Sequence, residues 1–295
     1  MRFVFFGTAE FSEIVLKKMI EGGCAPDLVI CNPDRPIGRK KTVTPPLTKV
    51  LAKGYKIKTW QPEKLVYKEF ADQVDGIDFA VVAAYAKIIP QDIVDFPKLG
   101  TIGVHPSLLP KYRGASPIQS VLLSGEKETG VTLYLMDEKL DHGAILAQRK
   151  TIIGDHEDYS RLENRLAELG GALLAETLQD FHDGKIKPLV QDEDRATSTK
   201  KFSTQDAFVD YKDLLEAENG NLEKARKINR MIRAFVLEPG AWTLQPTPAS
   251  AKVMGGRQGK SQRVKLLASE VIASGLKLMK TQAEGKKPRA VESRI

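Results

Sequence analysis

Strand-length apolar blocks alternate with amphipathic, helix-length stretches from the first residues to beyond residue 180. That alternation confines the chain to an α/β sheet with mostly parallel strands. Residues 2–6 read as a first buried strand. Residues 10–20 read as a helix with Phe11, Ile14, Val15 and Met19 on one face. A short strand is expected at 27–31, helices at 46–52 and 63–72, and a near-continuous apolar strand at 78–84. A run that is apolar on both faces belongs in the middle of a parallel sheet, covered on each side. Further strands are expected at 101–104, 131–136 and 144–152, and a helix at 115–123. A long amphipathic helix follows at 159–181, through Leu162, Leu166, Leu169, Leu173, Leu174 and Leu178. The predicted fold class is α/β, with a Rossmann-like, mostly parallel sheet over residues 1–184.

Residues 185–205 lose this periodicity and read as an extended linker. Residues 206–295 have another character. A basic helix at 221–235 precedes short alternating strands at 241–244, 263–269 and 276–281, with turns at Glu238-Pro239-Gly240 and Gly255-Gly256. Short strands after one helix predict a small OB-like β-barrel. Charge divides the chain similarly. Residues 201–295 hold 18 Lys/Arg against 10 Asp/Glu, a net +8, whereas residues 1–200 hold 27 against 28, a net −1. Clustered cations gain by releasing counterions condensed on phosphates, so a polyanion is expected against the second domain.

Several function classes drop out. No apolar run is long enough to span a bilayer, so no membrane partner is expected. The opening apolar block is cut by Gly7 and Glu10, too early for a secretory segment. Cys24 and Cys31, with no nearby histidine, make neither a disulfide framework nor a zinc site. Two reduced thiols fit a cytoplasmic protein, and no metal is expected. A dinucleotide site wants three spaced glycines after the first strand, where this chain has Gly7 alone. No large apolar stripe is left exposed by the pattern, and a monomer is expected.

The chemistry concentrates between residues 101 and 143. His105 follows an apolar strand and precedes Pro106, where a parallel sheet opens into a crevice. Asp141 follows another apolar strand. A carboxylate beside an imidazole favours the imidazolium and fixes its orientation, and such a pair can donate a proton to a developing oxyanion. His142 reads as a rim histidine. Earlier in the chain, Arg35, Arg39, Lys40 and Lys41 crowd a Pro- and Gly-framed loop of the kind that contacts phosphates.

The segment His105, Ser107-Leu108-Leu109-Pro110, Tyr112-Arg113-Gly114 resembles the folate-dependent formyltransferases, as do Ala84-Tyr85, Thr129-Gly130-Val131-Thr132 and Met136-Asp137 with Leu140-Asp141. The basic loop, Ile232-Arg233-Ala234-Phe235 and Pro239-Gly240-Ala241 favour the methionyl-tRNA formyltransferase branch. The resemblance implies a formyltransferase-fold sheet domain followed by an OB-like barrel. It implies an enzyme that moves a formyl group from 10-formyltetrahydrofolate to the α-amine of methionyl initiator tRNA, in support of translation initiation. His105 and Asp141 would be catalytic. Ser107, Leu108, Leu109, Pro110, Tyr85 and Ile88 would line the folate pocket. Arg35, Arg39, Lys40, Lys41, Arg230 and Arg233 would meet the tRNA.

One position departs from the pattern. The family places asparagine two residues before the histidine, as a donor to the formyl oxygen, and this chain has Gly103. Loss of one such donor costs about 10²–10³ in rate. A water or backbone N–H could fill the gap, another side chain such as His142 could serve, or the protein could bind folate and tRNA without transfer. An amino-sugar N-formyltransferase is the remaining alternative, with little use for a basic second domain.

Overall fold

The computed structural model describes residues 1–38, 41–246 and 261–291. The chain divides into two compact units. Met1–Pro117, Glu128–Ile152 and Glu163–Thr199 form the first, and Ile118–Lys127, Ile153–Leu162 and the described part of Lys200–Ile295 form the second. The elements begin with β1 (Phe3–Phe6), α1 (Glu10–Glu21), β2 (Leu28–Ile30), β3 (Arg35–Ile37), β4 (Thr42–Thr44), α2 (Leu47–Gly54), β5 (Lys58–Trp60) and α3 (Tyr67–Gln73). They continue with β6 (Phe79–Val82), α4 (Gln91–Val94), β7 (Thr101–His105), β8 (Arg113–Gly114), α5 (Pro117–Ser124), β9 (Glu128–Leu135), β10 (Ile145–Ile152), α6 (Tyr159–His182) and β11 (Ser198–Thr199). The remainder are α7 (Tyr211–Glu218), α8 (Leu222–Ala234), β12 (Trp242–Pro246), β13 (Ser261–Ile272), β14 (Gly275–Ala283) and β15 (Arg289–Ala290).

The first unit is built on a seven-stranded sheet in the order β10-β9-β7-β6-β1-β2-β5. The strands from β7 through β5 are parallel, and β9 and β10 join antiparallel. Every residue of β1 is buried, as its unbroken apolar sequence requires of a central strand. Phe3 stacks on Phe79 with ring centroids 5.0 Å apart, and Phe6 meets Tyr85 edge-on at 5.4 Å. Truncating a buried Phe of this kind costs about 3–5 kcal/mol. Helix α1 buries Phe11, Val15, Leu16 and Met19. Its Glu10 and Glu13 lie in the first turn and Lys18 in the last, where each complements the helix dipole. Helix α5 opens on Pro117, which lacks only an N–H that the first turn would leave unpaired.

Two expectations shift for physical reasons. The helix expected at 63–72 is α3, which starts only at Tyr67. The preceding carbonyls of Pro62 and Glu63 accept from Lys87 Nζ at 3.0 and 2.9 Å, which takes up two acceptors that a helix starting at 63 would use. Residues 185–199, read as linker, are tied into the first unit. β11 pairs parallel with β8, and Leu189 bridges to Ile145.

The second unit carries an antiparallel four-stranded sheet, β12-β13-β14-β15, among the described residues. Helix α8 is capped by Asn221 Oδ1, which accepts the Lys224 N–H at 3.1 Å. It buries Ala225, Ile228 and Ile232 in a core shared with Leu214, Leu266, Leu276 and Leu278. The expected turn at Gly255-Gly256 lies outside the described residues. No helix among the described residues is long and apolar enough to cross a membrane.

Candidate active site

The sheet register assembles the site. Gly103 lies opposite Tyr134, and His105 opposite Thr132, across the β7–β9 pair. Residues directly opposite in an antiparallel pair share a face, and so do residues two apart on one strand. Gly103, His105, Thr132 and Tyr134 therefore point to one side of the sheet. The loop after β9 then returns Asp141 to that side. Its backbone adopts φ +52°, an uncommon conformation for a residue with a Cβ.

His105 and Asp141 are 6% and 8% exposed. Asp141 Oδ2 lies 3.5 Å from His105 Nδ1 and accepts the Gly114 N–H at 2.7 Å. Oδ1 accepts the Tyr134 hydroxyl at 2.7 Å. His105 Nε2 is 2.9 Å from the Tyr112 carbonyl. Each ring nitrogen thus faces an oxygen, and the carboxylate is fixed by a donor on each of its own oxygens. Burial first, then the charge of Asp141, holds the Tyr134 phenol well above its ordinary value, so it stays a proton donor to the carboxylate.

Support comes from segments that the sequence left unassigned. Gln191 Nε2 donates to the carbonyls of Asp141 and Gly143, at 2.9 and 2.8 Å. Its Oε1 accepts from Arg113 Nε and Nη2 at 3.0 and 2.8 Å, and Arg113 also pairs with Glu193. Nothing in the polar stretch around Gln191 marks it as a buried strut. Gly114, at φ +110°, is held where a Cβ would meet the Thr199 carbonyl oxygen at 2.7 Å. That backbone conformation is open to glycine and aims the Gly114 N–H at Asp141. Tyr134 was equally unmarked, because its role follows from strand register.

The other expected residues are placed as follows. Ser107 and Leu109 are buried. Ser107 Oγ donates to the Lys111 carbonyl at 2.6 Å, and the Leu109 N–H donates to Thr132 Oγ1 at 3.1 Å. Leu108 Cδ2 lies against Gly130, and the Pro110 carbonyl accepts the Thr197 N–H at 3.2 Å. Tyr85 is a core residue whose buried hydroxyl lacks a hydrogen-bond partner among the described residues, and Ile88 is 94% exposed. The basic loop is a β3–β4 hairpin with Arg35 and Lys41 exposed, while Arg39 and Lys40 lie outside the described residues. The His142 ring is engaged by other acids, with Nδ1 2.6 Å from Asp137 Oδ2 and Nε2 3.5 Å from Glu193 Oε1. Among the described residues no group of His, Cys, Asp and Glu is arranged to hold a metal.

Within the second unit, a cavity of about 600 Å³ is lined by Arg226, Arg230 and Arg233 with Asn229 and His156, and by the acids Glu126 and Asp155, the latter paired with Lys127 at 2.9 Å. Arg230 Nε is buried without a hydrogen-bond partner among the described residues. Burial, then the charge of Arg230, lowers the Arg233 guanidinium from its ordinary value. A crowded, partly desolvated pair of guanidiniums of this kind is stabilised by an anion.

Fold and site together give a mostly parallel α/β sheet with a buried His–Asp pair at the end of a strand, followed in the chain by a basic segment. A family profile, formyl transferase, matches residues 1–178. The methionyl-tRNA formyltransferase of Halalkalibacterium halodurans is 38% identical over 246 residues, 83% of this chain and 74% of that protein. Among solved structures, a methionyl-tRNA formyltransferase from Clostridium thermocellum superposes with a TM-score of 0.57 at 15% identity, covering 99% of this chain and 100% of that one. An N-formyltransferase from Helicobacter canadensis, in complex with folinic acid and dTDP-3-aminofucose, gives 0.57 at 18%, covering 94% of this chain and 97% of that one. At such identities the structural matches speak for the fold alone. The chain belongs to the formyl transferase family, among the methionyl-tRNA formyltransferases.

Proposed function

We infer that the chain transfers a formyl group from 10-formyltetrahydrofolate to the α-amine of methionyl initiator tRNA. The observation that carries this reading is the buried His105–Asp141 pair at the end of β7, within the unit that the family profile matches. The amine nitrogen attacks the formyl carbon, and the carbonyl oxygen becomes an oxyanion beside His105. The amine then loses a proton, the bond from carbon to the folate nitrogen breaks, and that nitrogen takes up a proton. His105 meets the oxyanion and the moving proton through Nε2, which exchanges the Tyr112 carbonyl for them, while Asp141 holds the ring at Nδ1. The protein supplies position and charge without a covalent intermediate.

The fit of the donor is supported by two orphaned polar atoms. Tyr85 Oη and Asn32 Oδ1 are buried without partners among the described residues, and Asn32 Nδ2 lies 3.5 Å from the Tyr85 carbonyl. Unpaired buried groups of this kind are stabilised by a polar ligand. The loop Ser107 to Pro110, pinned by Thr132, and the exposed Ile88 are the remaining candidates for the folate pocket. The acceptor is supported by the net +8 of residues 201–295 and by the Arg226–Arg230–Arg233 cavity; Arg35, Arg39, Lys40 and Lys41 are further proposed contacts from the sequence. The protein acts as a cytoplasmic monomer without a metal.

The test is formyl transfer by the purified chain, with methionyl initiator tRNA as acceptor and an amino-sugar nucleotide as control. Transfer to the tRNA alone is the expected result. Transfer to the sugar, or to neither, rejects the assignment.

A further inference from the structure

Tyr134 and Gly103 occupy one volume. A Cβ built on Gly103 would fall 2.4 Å from Tyr134 Cε1, 2.5 Å from Cζ and 2.8 Å from the hydroxyl oxygen. Any side chain at 103 would therefore displace the phenol. The ring is 5% exposed, and its hydroxyl donates to Asp141 Oδ1 at 2.7 Å. A residue needed only to fill this space would serve as well without a hydroxyl, whose burial costs free energy unless it is bonded. Here the bond goes to the carboxylate that faces His105. The hydroxyl also lies at about the distance from the 103 Cβ point at which an asparagine would carry its amide atoms. His142, next to Asp141 in the same loop, is held by Asp137 instead.

We propose that Tyr134 is a positioning residue of the transfer site and an exchange partner of Gly103. Its phenol fills the space of the side chain absent at 103, and its hydroxyl holds Asp141 against His105. This rests on the formyl-transfer reading. With Oδ1 anchored by Tyr134 and Oδ2 by the Gly114 N–H, the carboxylate cannot rotate away from the imidazole without breaking a charge-assisted hydrogen bond. Glycine at 103 is the condition that lets the phenol reach that place.

The test is steady-state transfer by the full chain and by Tyr134→Phe, Tyr134→Ala, Gly103→Asn and the Gly103→Asn/Tyr134→Ala double variant, with a thermal melt of each. Tyr134→Phe keeps the ring and loses one hydrogen bond to a charged group. Its kcat should fall roughly ten- to a hundredfold while KM for both substrates holds. Its pH–rate profile should change shape, which a space-filling role would not cause. Gly103→Asn alone should be the poorer enzyme, and adding Tyr134→Ala should raise its kcat above either single variant. Wild-type kcat in Tyr134→Phe overturns the proposal, as does full activity of Gly103→Asn with Tyr134 in place. If Gly103→Asn fails to fold, Tyr134→Phe decides alone. A wild-type chain that transfers nothing fails the functional reading itself, a result read before any variant is compared, and removes this proposal with it.

Discussion

Asp141 reaches His105 through Oδ2, 3.5 Å from Nδ1, and the same oxygen accepts the Gly114 amide at 2.7 Å. The reacting pair is therefore fixed by backbone as well as by side chains. Asp141→Asn keeps the shape but places an NH2 group against one of two donors, and it removes the charge beside the imidazole. Transfer should fall by about 10²–10⁴ in Asp141→Asn and in His105→Ala, with tRNA affinity held. Single-turnover transfer alongside a tRNA filter-binding titration checks both. Transfer near the wild-type rate in either variant removes these residues from the mechanism.

Gln191 ties the site loop to residues beyond α6. Replacing it with Ala leaves the Asp141 and Gly143 carbonyls without the amide donor and Arg113 without one acceptor. The expected cost is about 1–3 kcal/mol of stability, together with a loss of kcat as the Asp141 loop loosens. Urea unfolding reads the first and steady-state kinetics the second. An unchanged midpoint would mean that the strut carries no load.

The contrast between His105 and Gln191 shows what the sequence makes legible. The parallel strands were readable because β1 and β6 are unbroken apolar runs. His105 was readable because it ends such a run beside a proline within a family motif. Tyr134 and Gln191 were not. Tyr134 sits in an apolar, buried strand where an aromatic reads as core, and only the register with β7 puts it over Gly103. Gln191 sits in a stretch whose polarity matches solvent. Its burial comes from two carbonyls and one guanidinium brought by distant segments. The start of α3 was misjudged for the same reason: the Lys87 bonds that occupy the carbonyls of Pro62 and Glu63 are non-local.

Alkaline pH should destabilise the fold. Burial pushes the Cys31 thiol from 9.0 up to about 11 and the Tyr85 phenol from 10.0 to about 12, and it holds Tyr134 well above 10.0. Above their ordinary values these acids are ionised in the unfolded chain and still protonated in the folded one. The folded state then binds more protons, so stability falls as pH rises. The decline starts near pH 9 with Cys31 and continues from 10 to about 12 with Tyr85, with Tyr134 adding to it above 10. Tyr85→Phe should flatten the upper part of that curve. It should also add about 1 kcal/mol at neutral pH, because the hydroxyl it removes is buried and unpaired. If that hydroxyl serves the folate donor, as proposed, KM for the donor rises in the same variant. Denaturant midpoints across this pH range and donor titrations check both outcomes.

Arg226 and Arg230 offer the sharpest test of the second unit, because both line the cavity without the main-chain bond that commits Arg233 to the Glu157 carbonyl. Each contact with a phosphate contributes about one unit to the slope of log affinity against log salt. Arg226→Ala and Arg230→Ala should each weaken tRNA binding and flatten that slope by about one. KM for charged tRNA should rise while kcat at saturation holds, since a contact made equally in the ground and transition states is lost. Arg233→Ala should differ by lowering thermal stability as well, because its Nη1 donates to Glu157 at 2.9 Å and its Nε to Asn229 Oδ1 at 3.1 Å. Unchanged salt slopes in both Arg226→Ala and Arg230→Ala would place the tRNA on another face of the protein.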